Sequence, residues 1–490
     1  MQGLLTSSHC KLHTLLEKQC WLLAERISLY STASLHYNLF ELYRIILINT
    51  LFMFLRFTFV FLFLIFANIS NALTKIDITR SNISAVPIAI QTFSSSEAGG
   101  GNYYEERIGS LVSADLESCG LFRIINPESY IEESNSLKKT PNFISWRQLK
   151  TNILLLIDVE NSNENMTVTF KLWDIFSQKP LLFKKLDTKA KLWRRISHKI
   201  SDEIYKRMTG ENGYFDTKIA YVSIHGQGKN KTRRLAIMDH DGENHSYLTN
   251  GDSIVLTPRF SNDSSRLLYF SYEDPLRPSV KVFDLRTNKS RLLREIYGMS
   301  YAPRYTPDGK SILFAIEKKG ISNIYLYNLN KMDMKQITFC KSICTSPSSS
   351  PDQRKIVFNS DMSGGRNIYV MNLHDKSPKR ISFNKGSYTN PVWSPKGNLI
   401  AFTKTIGFDD FYIGIMRPDG SHEKIIAHGR LVEGPAWAPN GKAIIFEKEL
   451  TDDYGNHYTK LYKIDIVSRK EQEIDTPSDA TDAYWSNPLK

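Results

Sequence analysis

A motif that returns every 44 or 45 residues constrains this chain more than any other feature. Pro391-Val392-Trp393-Ser394-Pro395-Lys396-Gly397 leads into the apolar run Leu399-Ile400-Ala401-Phe402. Pro435–Gly441 and Pro303–Gly309 repeat it, and fainter copies begin at Pro258 and Pro347. The leading prolines at 258, 303, 347, 391 and 435 are spaced by 45, 44, 44 and 44 residues. A fixed period of about 40–50 residues is the mark of a repeat architecture.

Each unit continues in the same way. The apolar run that follows the opening suits a strand buried on both faces. A second run comes next, as in Ile324-Tyr325-Leu326-Tyr327-Asn328 and Ile368-Tyr369-Val370-Met371-Asn372. A polar turn and a last strand close the unit, as in Lys379-Arg380-Ile381-Ser382. Four strands in about 44 residues make a propeller blade. The second run occurs six times, the first at Leu235–Asp239, whereas the proline-led opening occurs five times. The missing opening stands at the other end of the chain, where Asp482-Ala483-Tyr484-Trp485-Ser486-Asn487-Pro488 matches Gly434–Pro439. Those last residues are therefore predicted to supply the inner strand of a blade formed within Lys218–Thr249, which closes the ring and leaves no free sheet edge. Within each opening, proline is expected to restrain the chain as it enters the strand. The aromatic residue is expected to pack between blades, where burial contributes about 1.5–3 kcal/mol, and the Ser/Thr-Pro-x-Gly end to form a tight turn. The copy at Ser348–Gln353 has lost both the aromatic and the glycine, so that blade is expected to be locally weaker.

Residues 73–216 read differently. Leu73–Thr79 alternates polar and apolar residues, as a half-buried strand does. Val86–Ile90 is a second strand, with its proline at a strand start or an edge. Ser94–Gly101 is a Ser/Gly linker. Tyr103–Cys119 is helical and stops at Gly120; Ile153–Ile157 is a buried strand; Thr167–Asp174 and Leu181–Leu186 form a hairpin. Leu192, Ile196, Ile200, Ile204 and Met208 recur every four residues along one helix face. The fold class is thus an α+β N-terminal domain, 73–216, followed by a six-bladed all-β propeller, 217–490, closed by the C-terminal strand.

Ahead of these lies the apolar run Leu51–Phe66, with Ser70 and Ala72 at −3 and −1 of a small-residue cleavage site. A basic residue, a short apolar core and such a site make a secretory signal peptide. The reading is a start at Met53, a signal over 53–72 cut between Ala72 and Leu73, and a non-native extension over 1–52. The alternative joins Ile45–Ile48 to the run as an uncleaved anchor.

The chain carries a formal charge of +12, but its basic residues are scattered among acids rather than gathered in a stripe, which argues against a nucleic-acid face. No GxSxG, HExxH or P-loop occurs, and the peptidases that use similar propellers need an added hydrolase domain. Asp239–His245 is the best metal-like cluster, and it reads as a strand-connecting turn. His198, beside the apolar face of its helix, reads as structural; His422 and His428 are isolated, and Asp409-Asp410 is a solvated pair. No catalytic residue, cofactor site or metal site is assigned. Cys340 and Cys344 have three residues between them; an oxidising compartment would allow a bridge, and two free thiols are the other reading.

The junction Ile200-Ser201-Asp202-Glu203-Ile204-Tyr205-Lys206-Arg207-Met208-Thr209-Gly210, continuing through Phe215-Asp216-Thr217-Lys218-Ile219-Ala220-Tyr221-Val222, resembles the helix-to-propeller passage of the TolB family, periplasmic components of the Tol–Pal envelope system. The resemblance covers about residues 73–490; residues 1–52 and the eroded repeat depart from it. It implies a monomeric binding scaffold in the periplasm, not an enzyme, with two partners and a role in outer-membrane integrity and cell division. The mature N-terminal segment, Leu73, Thr74, Lys75, Ile76, Asp77, Ile78, Thr79 and Arg80, would bind TolA, by addition to a partner's sheet edge. The peptidoglycan-associated lipoprotein Pal would bind the loops before the openings, Gly251–Thr257, Gly298–Ala302, Cys340–Ser346, Gly386–Asn390 and Gly429–Gly434. There the expected contacts are Asp252, Ser253, Ser300, Tyr301, Ser346, Tyr388, Thr389, Asn390 and Glu433. The alternative is a secreted propeller enzyme or carbohydrate-binding module acting through the channel.

Overall fold

The computed structural model describes residues 75–76, 84–94 and 103–489, apart from 133–135, 163, 227, 275–277 and 296–298, and four single positions before residue 54. The chain divides into two units, Met1–Ala72 and Leu73–Lys490. The expectations for 1–52, the signal over 53–72, the cleavage point and most of the Ser/Gly linker lie outside the described residues. Among the described residues no helix is long and apolar enough to cross a membrane.

The second unit begins with a five-stranded sheet. Its strands are β1 (Val86–Phe93), β2 (Phe122–Ile124), β3 (Ile153–Ser162), β4 (Asn165–Asp174) and β5 (Lys179–Lys189), in the order β2-β1-β3-β4-β5. β1 runs parallel to both of its neighbours, and β3, β4 and β5 are antiparallel. Pro87 stands near the start of β1, opposite Arg123 of β2, and its carbonyl accepts from the Asn152 amide at 3.0 Å. Helices α1 (Tyr103–Ser118) and α3 (Trp193–Thr209) bury Ile108, Val112, Leu116, Ile196, Ile200 and Ile204 in the core with the β3 residues Ile153, Leu155 and Ile157. Gly210 ends α3 at φ 80°, the left-handed cap a glycine adopts without strain. The strand β2 and the short helix α2 (Phe143–Gln148) carry no clear periodicity of their own.

From Lys218 onward the chain forms six four-stranded antiparallel sheets. Asp479–Trp485 pairs with Lys218–His225, Trp485 opposite Ile219, so the last strand is the inner strand of the first blade. Trp485 Nε1 donates to Thr217 Oγ1 at 2.7 Å, and Ser486 and Lys218 exchange hydrogen bonds at 2.8 Å. The aromatics of the openings pack across blade boundaries: Trp393 joins Val357 of the preceding blade in one core, and Trp437 Nε1 donates to the Val392 carbonyl at 3.0 Å.

One expectation about the repeat changes. The proline does not stand where the chain enters the strand. Pro258 lies inside Ile254–Phe260 and Pro391 inside Ser387–Trp393, at a β-bulge that recurs in every inner strand. A bulge leaves its extra residue outside the ladder, so a residue with no N–H is tolerated there. The residue before the proline is left-handed: Thr257 at φ 49°, Ser346 at 52°, Asn390 at 48°, Gly434 at 64°; Asp482 takes this place at 58°. The eroded copy also keeps its geometry. Gln353, at φ 59°, occupies the turn position held by Gly397 at 77° and Gly441 at 67°, and that blade has all four strands.

Candidate functional site

Antiparallel order sorts the loops of a blade. Turns joining the first strand to the second and the third to the fourth lie at one face of the ring; the other connections lie at the opposite face. The N-terminal domain holds the first face. Lys396 pairs with Glu211, Asn440 Nδ2 donates to the Asn212 carbonyl at 2.9 Å, and Ser468 Oγ donates to the Cys119 carbonyl at 2.8 Å. Lys396, Asn440 and Ser468 all stand in such turns. The apolar core is also continuous across this contact, with Tyr205 and Met208 of α3 in one cluster with Ala438, Ile445, Leu461 and Trp485.

Among the described residues the opposite face is uncovered, and it carries a cavity of about 360 Å³ at the channel mouth, lined among others by Ser346, Asn359, Asp361, Arg366, Thr389, Asn390 and Glu433. Its walls combine the outer halves of inner strands, at Ser346, Thr389, Asn390 and Glu433, with second strands and the turns after them, at Asn359, Asp361 and Arg366. Ser346 Oγ donates to Asn390 Oδ1 at 3.2 Å, which joins two neighbouring blades. Burial, with Asp482 nearby, raises the Glu433 carboxyl above its ordinary range against the pull of Arg366. Around the mouth, the strand ends and connections at this face expose Ile254, Ile321, Ile343, Met362, Phe408 and Tyr454, the last two 97% and 91% exposed. Apolar side chains ringing a polar cavity suit a protein partner better than a small metabolite.

The predicted contacts divide. Ser346, Thr389, Asn390 and Glu433 come together at this cavity, but on strands rather than on loops. The inner strands start earlier than their prolines suggest, because the bulge hides the first half of each strand from a pattern search. Ser300 and Tyr301 likewise belong to a strand, Met299–Tyr305. Asp252 and Ser253 are in a loop, where Ser253 Oγ lies 3.3 Å from Ser271 Oγ. Tyr388 is not a surface contact. It is fully buried, and its hydroxyl donates to Glu423, which Lys404 also pairs at 2.8 Å. Of the Leu73–Arg80 segment only Lys75 and Ile76 fall within the described residues. They are not in a strand; Lys75 is exposed, while Ile76 is buried and donates its amide to the Met208 carbonyl at 2.8 Å. Cys340 and Cys344 are joined by a disulfide at the entry to an inner strand. Ile254 and Ile343 fall within the predicted loops; Ile321, Met362, Phe408 and Tyr454 were missed because they lie where second and third strands meet, which the repeat motif does not include.

A second polar group lies buried between the domains. Asp115 of α1 binds two imidazoles: His198 Nδ1 of α3 is 2.8 Å from Oδ2, and His240 Nε2 of the propeller is 2.9 Å from Oδ1. Asp241 stands 3.9 Å from His198 Nε2 and pairs with Arg194. Burial works to raise the Asp115 carboxyl, but His198 and then His240 outweigh it and hold it well below the carboxylate range. His198 is raised: burial lowers it, and Asp115 more than compensates. His240, wholly buried, is lowered. These four residues have the donor types of a metal site. Here both Asp115 oxygens already serve the imidazoles, and Arg194 beside Asp241 disfavours a cation. The group acts as a latch. Sequence reading treated His198 and the Asp239–His245 turn separately because 42 positions separate His198 from His240.

Comparison with known proteins bears on the whole of this unit. The sequence model of the TolB beta propeller domain matches residues 205–489, and that of the TolB amino-terminal domain matches 74–181. The chain belongs to the TolB family. Tol-Pal system protein TolB of Rickettsia prowazekii is 41% identical over 261 residues, and that of Rickettsia bellii 41% over 258. These alignments cover 53% and 52% of this chain and 58% of each TolB relative, so the match spans a little over half of the relatives' length. A crystal structure of TolB from Acinetobacter baumannii matches with a TM-score of 0.73 at 24% identity, over 85% of this chain and all of the other, which supports the fold.

Proposed function

We propose that this chain is a non-enzymatic, periplasmic binding scaffold of the Tol–Pal system that links Pal at the outer membrane to TolA at the inner membrane. In this role it maintains outer-membrane integrity and supports its invagination at division. The observation that carries the reading is the exposed apolar ring around the polar channel mouth, on the face the N-terminal domain leaves open. Pal is assigned to this mouth, with Ser346, Thr389, Asn390 and Glu433 as its polar contacts. TolA is assigned to Leu73–Arg80, which Ile76 anchors beside the end of α3. The fold, the family membership and the signal-like segment support the assignment.

The test is a pull-down of Pal and of TolA with the chain starting at Leu73. Phe408→Ser with Tyr454→Ser is expected to weaken Pal binding at least about tenfold, as loss of anchor residues at an interface does, and to leave TolA binding unchanged. Removal of Leu73–Arg80 is expected to abolish TolA binding and spare Pal, with a thermal melt recorded to show that the protein remains folded. Loss of both partners from a folded deletion variant contradicts the division of roles.

A further inference from the structure

The residue after the proline is arginine in two successive blades, Arg259 and Arg304. Arg304, Ser348, Val392 and Tyr484 line a cavity of about 290 Å³ toward the face that carries the N-terminal domain. Arg259 occupies the same position in the neighbouring blade. Both arginines are 7% exposed. Their guanidinium carbons lie 4.9 and 6.0 Å from the centre of the single Tyr484 ring. Arg259 Nη1 donates to the adjacent Pro258 carbonyl at 2.7 Å, but Nε of Arg259 and Nε and Nη1 of Arg304 are buried without a hydrogen-bond partner.

Two such charges beside one aromatic ring are expensive to bury unless something pairs them. The Tyr484 hydroxyl supports Arg304 from one side, but the ring face accepts no hydrogen bond from a guanidinium, so Nε and Nη1 of Arg304 and Nε of Arg259 stay unmatched. The nearby acids do not fill the role. Asp482 and Glu447 act on Arg259 only through space, and the Glu447 carboxyl is held up by its own burial and by Asp482 while it accepts from the Asp482 amide at 2.7 Å. Burial and the neighbouring Arg259 press the Arg304 guanidinium down to about 9. We infer that the propeller channel holds an oxyanion, a carboxylate or a phosphate, between Arg259 and Arg304, which would satisfy the unpaired N–H groups. The inference is independent of the partner assignment, since this cavity and the open mouth belong to opposite ends of the ring.

The experiment is a thermal melt of the full chain in sodium phosphate, sodium acetate and sodium chloride at matched ionic strength. Calorimetric titration of phosphate into the same protein runs alongside. In about 50 mM phosphate or acetate the midpoint is expected to rise by about 2–4 °C above chloride, and to climb with the logarithm of anion concentration. Acetate stands for a protein carboxylate, and phosphate for a phosphate ester or the free ion; the larger response assigns the source. Arg304→Met is expected to lose the response. Its midpoint in chloride should not fall below that of the unsubstituted chain, because an apolar replacement removes an unpaired buried charge. Should Arg304→Met fail to fold, Arg259→Met is read in the same way. Equal midpoints in all three salts with no heat of phosphate binding overturn the site, as does an undiminished response in a folded arginine variant.

Discussion

A Cβ placed on Gly213 would stand 2.0 Å from Oδ1 of Asp202 and 2.6 Å from its Cα. The closeness has a purpose: Asp202 accepts the amides of Phe215 and Asp216 at 2.8 and 3.1 Å, which turns the chain from α3 into the propeller. Gly213→Ala is therefore expected to lower stability by about 1–3 kcal/mol, the range for overpacking a tight site, measured by urea denaturation. The same measurement tests the buried latch. Removing one partner of a buried charged pair costs about 3–5 kcal/mol, so Asp115→Asn is expected to fall in that range near neutral pH. His198 adds a pH dependence. Its pKa is raised above the ordinary 6.5, so its stabilisation is fully present below 6.5 and is lost as pH rises through the raised value. The penalty of His198→Asn should be largest below pH 6.5 and shrink as the pH rises through the raised value. His240, lowered first by burial and also by the neighbouring His198, acts with the opposite sign as pH falls below 6.5. A penalty that grows with pH would show that His198 is neutral in the folded protein.

At the scale of elements, the fastener is the strand Asp479–Trp485. Without it the strand Lys218–His225 has a bare edge, and Thr217 loses its bond from Trp485. Truncation after Thr481 is expected to abolish the cooperative unfolding of the propeller; an unchanged calorimetric transition would refute closure by this strand. The Cys340–Cys344 bridge is a smaller device, because it closes a very short loop. Loop-closure entropy limits its contribution to about 2 kcal/mol, so reduction should lower the melting midpoint only slightly and leave all six blades folded.

For the whole molecule, the decisive fact is that α3 shares one apolar core with the propeller. Domains joined by such a contact are not expected to move or melt independently. Residues 73–490 should therefore unfold in a single calorimetric transition. Two resolved transitions would mean that the interdomain core and the latch contribute little to stability.

The propeller, its blade number and its closure were legible in the sequence because a strand buried on both faces must be apolar, and a repeated blade must repeat that demand at a fixed period. Helix α3 was legible for the same reason, through the four-residue recurrence from Ile196 to Met208. What the period could not reveal was anything set by contacts between distant segments. It did not show that the prolines sit at bulges, that Tyr388 points into a blade, or that Asp115 gathers His198 and His240. Nor could it show that Arg259 and Arg304 converge on one ring of the strand that closes the circle. A core is encoded locally, as a run of side chains that avoid water; a polar site depends on which few atoms the completed ring brings within hydrogen-bond reach.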